Sequence, residues 1–317
     1  MSELDASARR VERLRLELDD EGIRLLADGD LLAMVLAELD YARHPHAHEG
    51  VAPRYGALLS STEVLTAKRV GPIEHVDVGD VPISVVRRLA DGRSSFVART
   101  VRGPDRLVCF DRTREYESSA VHLTVATGAL VVQRLGRGWV RLCTPQGVAT
   151  WDGMHWSSKP LSSHVTDRVM RIITAAEPDV LVNLLEFCMH WLGAGRVGGA
   201  LVWRLAGDPR ELAHLGFGAA VSIPELDLTC RTHFAPLLNA LAQYDRATLV
   251  DPRGRVSTVG VHLRSSERTR REFTPSQGTR HTSALRFSSD EPSAAVFVVS
   301  SGGALSIFWQ GRRLDTD

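Results

Sequence analysis

The chain has 317 residues, with 38 basic and 38 acidic side chains, no formal net charge, 44% hydrophobic and 24% charged residues. That balance excludes a disordered chain, a collagen-like fibre and a supercharged tail, and it gives no general electrostatic drive toward nucleic acid or an acidic membrane. The length suggests two domains, each able to bury a core.

Only Lys68 and Lys159 are lysines, leaving 36 arginines. A GC-rich coding sequence accounts for such a skew, so an isolated arginine reads as solvated surface. The opening Met1-Ser2-Glu3-Leu4-Asp5 lacks the basic and apolar regions of a secretory signal, and no apolar run approaches the 18 or so residues of a membrane span. A soluble, cytoplasmic protein with no membrane or nucleic-acid partner is expected. The cysteines at 109, 143, 188 and 230 stand far apart, which suggests neither a zinc knuckle nor a disulfide framework.

Residues 4–40 read as helical. Val11, Leu14 and Leu18 fall at helical spacing, and after the break at Asp28-Gly29-Asp30 a second apolar face follows from Leu31 to Leu39, with Asp30 as N-cap. In His44-Pro45-His46-Ala47-His48-Glu49-Gly50, imidazoles two apart could share a cation, but Pro45 and the want of an orienting helix favour a polar loop. From about residue 80 to 156, short apolar runs predict strands over 81–86, 95–101, 107–110, 121–125, 130–133 and 139–142. Trp139, Trp151 and Trp156 could form a stacking platform, although tryptophans in β-rich regions more often serve core and rim. No catalytic constellation is visible here, and the half resembles a small ligand-sensing or regulatory module.

The Ser/Pro-rich stretch 157–163 is the candidate linker, which gives domains 1–160 and 161–317. Beyond it, Pro178 opens a helix with Leu181, Leu184, Leu185, Cys188, Met189 and Leu192 on one face. A buried strand over 198–203, a helix over 236–244, strands over 247–250 and 256–263, an arginine-rich loop, a short helix, and strands over 294–300 and 305–309 complete the pattern. The expected fold class is α/β (α+β), a mixed central sheet flanked by helices, preceded by a smaller β-rich α+β domain.

Chemistry concentrates in the second half. Gly278-Thr279-Arg280-His281-Thr282-Ser283 places a glycine, then hydroxyl, guanidinium and imidazole donors, at a helix start, which supplies the amide donors and positive helix end that a polyphosphate needs. A capped helix start beside a solvated loop would look the same. Asp245 sits where a helix hands over to a buried strand, from which a carboxylate can hold a divalent cation or accept a proton from a sugar hydroxyl. Residues 264–281 carry five arginines (264, 268, 270, 271 and 280) against Glu267 and Glu272, a local basic segment in a neutral chain.

In their order, Asp245-Arg246-Ala247 with Val250, the turn Asp251-Pro252-Arg253-Gly254, Val259-Gly260-Val261-His262-Leu263, Gly278-Thr279-Arg280-His281 and the strand ending at Ser300 resemble the diadenylate cyclase domain. The resemblance covers roughly residues 180–312, and the half before it is similar to the sensor domains that precede this domain in some bacterial proteins. It implies a nucleotidyltransferase of second-messenger signalling that joins two ATP into cyclic di-AMP and releases two pyrophosphates, within a homo-oligomer whose domains face one another. Asp245 would then be catalytic and bind Mg²⁺ or Mn²⁺, with Arg280 and His281 as its catalytic partners. Gly278, Thr279, Thr282 and Ser300 would bind the phosphates, and Gly260 and Leu263 the adenine side. Three positions depart from the family pattern: Arg246 replaces a glycine, Thr282 an arginine and Ser301 a glutamate. These departures also fit a catalytically degenerate nucleotide-binding sensor module. The ligand of the first half is left open.

Overall fold

The computed structural model describes residues 3–25, 27, 29–45, 52–62, 73–274 and 278–314, and divides into two compact units of similar length, Met1–Leu161 and Ser162–Asp317. Most of the histidine-rich run, His46 to Gly50, lies outside the described residues.

The first unit opens with helices α1 (Glu3–Asp20) and α2 (Gly29–Arg43). The strands β1 (Tyr55–Ser60) and β2 (Ile73–Asp77), the short helix α3 (Ile83–Val86), strands β3 (Ser95–Thr100) and β4 (Arg106–Phe110), helix α4 (Glu117–Thr127), and strands β5 (Leu130–Arg134), β6 (Val140–Thr144), β7 (Gly147–Trp151) and β8 (Trp156–Pro160) follow. The strands form one sheet in the order β2-β4-β3-β1-β5-β6-β7-β8, antiparallel except for β1 on β3. Successive side chains of a strand point to opposite faces, so Ala57 and Leu59 meet Val35 and Leu39 of α2 on one face, and Leu58 meets Ala120 and Leu123 of α4 on the other. Glu38 of α2 is fully buried and accepts hydrogen bonds from the Tyr55 hydroxyl, from Arg87 at 2.7 Å and from Arg99 at 2.6 Å. Trp156 is buried, and Trp151 packs on the core with the Arg43 guanidinium 4.1 Å above its ring.

Three local expectations are corrected. Residues 121–125 are helical, because Gly128, at φ 71°, ends α4 in a left-handed cap and the apolar face of the helix covers the sheet. Residues 83–86 are a helical turn after Pro82 rather than a strand. The expected linker is β8, drawn into the sheet by pairing with β7 from Trp151↔Trp156 to Gly147↔Pro160, and its Pro160 is tolerated at the end of an edge strand.

The second unit begins with α5 (Ser162–Ile172) and α6 (Pro178–Phe187), the latter running on into a π-helical turn over Cys188–Gly193. It continues with β9 (Gly199–Arg204), β10 (Leu215–Gly216), β11 (Val221–Asp227), α7 (Phe234–Leu241), β12 (Ala247–Val250), β13 (Arg255–Leu263), α8 (Glu267–Glu272), α9 (Thr279–Asp290), β14 (Ala294–Val299), β15 (Leu305–Trp309) and β16 (Arg312–Leu314). The sheet order is β10-β13-β12-β9-β14-β15-β16, with β11 also paired to β13, and β9 and β12 are parallel within an otherwise antiparallel set. Both faces of the central strands are covered. Leu201 and Trp203 of β9 join α6 and α7, whereas Ala200 and Val202 join Ala284 and Phe287 of α9. Among the described residues, no helix is long and apolar enough to cross a membrane.

Candidate nucleotide site

Sheet register builds the floor of a cleft. Ala247 pairs with Val261 on one side and Ala200 on the other, and Ala200 pairs with Val298, so four small or β-branched residues form one row across β13, β12, β9 and β14 on the α9 face. Small side chains there leave a hollow between the sheet and the N-terminus of α9. The resulting cleft has a volume of about 660 Å³ and is walled by Asp245 and Arg246 ahead of β12, His262 and Leu263 at the end of β13, the first turn of α9, and Ser300 and Ser301 after β14.

Gly278 is the N-cap of α9 and offers no side chain to its first turn. The first intrahelical bond runs from the Thr282 amide to the Gly278 carbonyl at 3.2 Å, so the amides of Thr279, Arg280 and His281 have no acceptor within the helix. Together with the helix dipole, these donors make that end of the cleft attractive to an anion. Thr279 and Ser283, one turn apart, both line it. The Ser300 hydroxyl accepts from the Ala304 amide at 3.1 Å, which fixes the side chain in the β14–β15 turn and leaves its proton free to donate.

One pair of opposite charges crosses the cleft: Arg280 Nη2 donates to Asp245 Oδ1 at 2.7 Å. The Arg280 guanidinium and the Arg246 amide hold the Asp245 carboxyl below its ordinary range. Arg280 rests against Gly198, where an added Cβ would lie 2.5 Å from Arg280 Nη1. His281 packs edge-on against Phe308, ring centroids 5.9 Å apart, and burial together with the charge of Arg313 holds its imidazole below the usual value.

The structure therefore brings Asp245, Leu263, Gly278, Thr279, Arg280, His281 and Ser300 to one cleft. It does not bring Gly260 or Thr282 to its surface. Gly260 is buried at an irregularity in β13, at φ 75°, and a Cβ there would lie 2.9 Å from the Ala219 carbonyl, so this glycine serves a close backbone approach. Thr282, half-buried on α9, is not among the lining residues. Of the arginine-rich segment only Arg280 lines the cleft: Arg264 precedes helix α8, and Arg268, Arg270 and Arg271 lie on it, where Arg271 meets Glu267 at 3.4 Å and Arg268 meets Glu272 at 3.9 Å. Ala200, Ser283 and Gly198 were missed by sequence reasoning; helical spacing from Thr279 would have found Ser283, but nothing local marks the other two.

The donor set for a metal is narrow. Among the described residues, Asp245 is the one carboxylate in the cleft, and no group of three His, Cys, Asp or Glu side chains is arranged to hold an ion. Mg²⁺ takes as few as one or two carboxylates and completes its shell with phosphate and water. A divalent ion bound here would have Asp245 as its single carboxylate ligand, the group that Arg280 engages at 2.7 Å.

Residues 195–313 match the DAC family model, described as DisA bacterial checkpoint controller nucleotide-binding, and residues 12–159 match the model described as "Probable sensor domain DACNK". Two solved structures also align. A hypothetical membrane-spanning protein from Bacillus cereus is 20% identical over 48% of this chain and 71% of its own, with a TM-score of 0.35. A cysteine double mutant of DacA from Staphylococcus aureus is 13% identical over 49% of this chain and 87% of its own, with a TM-score of 0.32. No curated protein matches the chain. The chain therefore carries a DAC nucleotide-binding domain at residues 195–313, preceded in sequence by a DACNK domain at residues 12–159.

Proposed function

We propose that the DAC domain condenses two ATP into cyclic di-AMP, each domain holding one nucleotide and two domains of a homo-oligomer facing one another. Each 3′-oxygen attacks the α-phosphorus of the opposite ATP, the bond to the leaving pyrophosphate breaks, and two such steps close the ring. The observation that carries this reading is the convergence of the Asp245–Arg280 pair and the open first turn of α9 on one cleft with a floor of small residues.

In this reading the amides of Thr279, Arg280 and His281, with the hydroxyls of Thr279 and Ser300, hold the phosphates, and Arg280 offsets the charge that builds as pyrophosphate leaves. Val261 and Leu263 give the base an apolar wall. Asp245 positions the attacking hydroxyl and would hold Mg²⁺ or Mn²⁺. When bound, that ion lowers phosphate charge and polarises the reacting phosphoryl group. In-line attack by a 3′-hydroxyl held on another domain makes a lone domain inactive. The DACNK half is read as a sensor controlling that pairing, with the reaction in the cytoplasm.

A second reading is favoured by one observation. The carboxylate needed for chemistry is engaged by Arg280, and Ser301, not a second acidic residue, lines the same cleft. A module that binds nucleotide and signals without turnover would look like this. Incubating the protein with ATP and Mg²⁺ or Mn²⁺, and following pyrophosphate and cyclic dinucleotide by mass spectrometry against Asp245→Asn, separates the two. ATP binding without product at either metal would sink the enzyme reading.

A further inference from the structure

Arg246 lines the cleft on a backbone of φ 73°, in the left-handed region. Among the described residues, the other non-glycine positions with positive φ are Arg196 and Gln310, and neither lines the cleft. A long side chain in this region is strained, since its Cβ crowds the following carbonyl, and only Gly, Asn or Asp adopts it at small cost. A residue held there against its preference, at the edge of a candidate site, points to a gain made elsewhere.

The charges in the cleft say what that gain is. Its charged lining residues are Asp245, Arg246 and Arg280. Arg280 is matched to Asp245 at 2.7 Å, whereas the exposed Arg246 guanidinium has no ion-pair or hydrogen-bond partner among the described residues. The Arg246 amide and the Arg246 charge both act to lower the Asp245 carboxyl. The side chain thus reaches the cleft as a cation with no ion-pair partner among the described residues, its charge acting on Asp245 only at longer range. The α9 N-terminus adds positive potential of the same sense.

We propose that Arg246 clamps the β- and γ-phosphates of the nucleoside triphosphate in this cleft, so that the site selects nucleotides by polyphosphate length. The inference rests on the reading of the cleft as an ATP site. A planar guanidinium with several donors suits two phosphates better than an ammonium. Arg280 remains shared between Asp245 and the α-phosphate.

The test is calorimetric titration of the full chain with ATP, AMP and adenosine, with Tm measured in parallel, for wild type, Arg246→Asn and Arg246→Gly. Both substitutions tolerate the left-handed backbone and remove the charge, so Tm should hold or rise by a few degrees. ATP affinity should fall about 10- to 100-fold, the range for loss of charge-assisted hydrogen bonds, and adenosine affinity should stay within twofold. Arg246→Lys should fall between wild type and Asn. If wild type binds ATP and the two neutral variants bind it equally well, Arg246 is no clamp while the ATP reading stands. An equal fall for ATP and adenosine would assign Arg246 to cleft shape and overturn the proposal, as would a lowered Tm in both variants. Failure of wild type to bind ATP would overturn the ATP reading and this inference together.

Discussion

Gly198→Ala should unseat Arg280 while leaving the fold almost untouched. The new methyl carbon would lie 2.5 Å from Arg280 Nη1, 3.3 Å from the Ser301 amide and 3.5 Å from the Val299 carbonyl. The last two contacts are absorbed by shifts of a few tenths of an ångström. The first is not, and the flexible guanidinium must retreat by roughly 1 Å to reach ordinary van der Waals contact. A retreat of that size is enough to break the 2.7 Å bond to Asp245. The stability cost is small: the pair is exposed, Arg280 by 40% and Asp245 by 78%, and exposed pairs contribute about 0.2–1 kcal/mol. Replacing glycine with alanine returns about 0.4–1 kcal/mol through the unfolded chain. Tm should therefore move by no more than a few degrees. Loss of a positioned guanidinium from a phosphate site costs about 1.5–3 kcal/mol, or roughly 10- to 150-fold in ATP affinity. Thermal unfolding and ATP calorimetry on Gly198→Ala and Arg280→Ala measure both quantities. The reasoning fails if Arg280→Ala weakens ATP binding and Gly198→Ala does not, or if Gly198→Ala lowers Tm by ten degrees or more.

The first unit offers two independent tests. Glu38→Ala leaves the Arg87 guanidinium, 16% exposed, without a carboxylate and Arg99, 20% exposed, with Asp105 alone at 3.2 Å, and should destabilise by about 3–5 kcal/mol in urea unfolding; a loss under 1 kcal/mol would show that the cluster relaxes to water. Asp91 is the other: burial would raise its carboxyl, but the amides of Ser95, Arg93 and Ser94 bring it down to about 2. Its folded-state pKa is depressed, so its contribution is present above the ordinary value near 3.8 and is lost as pH falls through about 2. Discounted for partial exposure, Asp91→Asn should cost about 1–2 kcal/mol at pH 7, with the gap from wild type closing between about pH 4 and pH 2; a gap independent of pH would mean that neutral Asn loses packing rather than charge.

Sequence patterning carried far in the second unit because its central strands are covered on both faces and its helices on one, the two most legible arrangements of apolar residues. The helix start at Gly278 and the helix-to-strand handover at Asp245 are local features, and the residues that make them are adjacent in sequence. The misreadings share a different cause. Val121 and Val125 favour a strand locally, and what makes α4 a helix is the left-handed stop at Gly128 and the sheet face waiting for Ala120 and Leu123. Ser157-Ser158-Lys159-Pro160 is polar because β8 is an edge strand, half of whose surface faces solvent. Gly198 lies 82 residues from Arg280, and no local pattern announces that one must be small for the other to fit. The left-handed backbone of Arg246 is equally silent, since arginine is a poor choice for it.

The Asp245–Arg280 bond also fixes the sign of a prediction that the bare residue list would get wrong. If Asp245 served only to bind metal and hydroxyl, its loss would weaken nucleotide binding under every condition. In this cleft it also holds an arginine, at 2.7 Å, that the phosphates need. Without divalent metal, Asp245 is a competitor of the nucleotide for Arg280 and a like charge beside the phosphates. Asp245→Asn should therefore bind ATP up to about fivefold more tightly in EDTA, the worth of an exposed ion pair. With Mg²⁺ or Mn²⁺ present, the wild-type carboxylate can take the ion and surrender Arg280, so the advantage should vanish or reverse while product formation is lost in the variant. Titrations with and without metal read the crossover directly. Weaker ATP binding by Asp245→Asn in EDTA would show that the carboxylate orients Arg280 for the phosphates instead of withholding it from them.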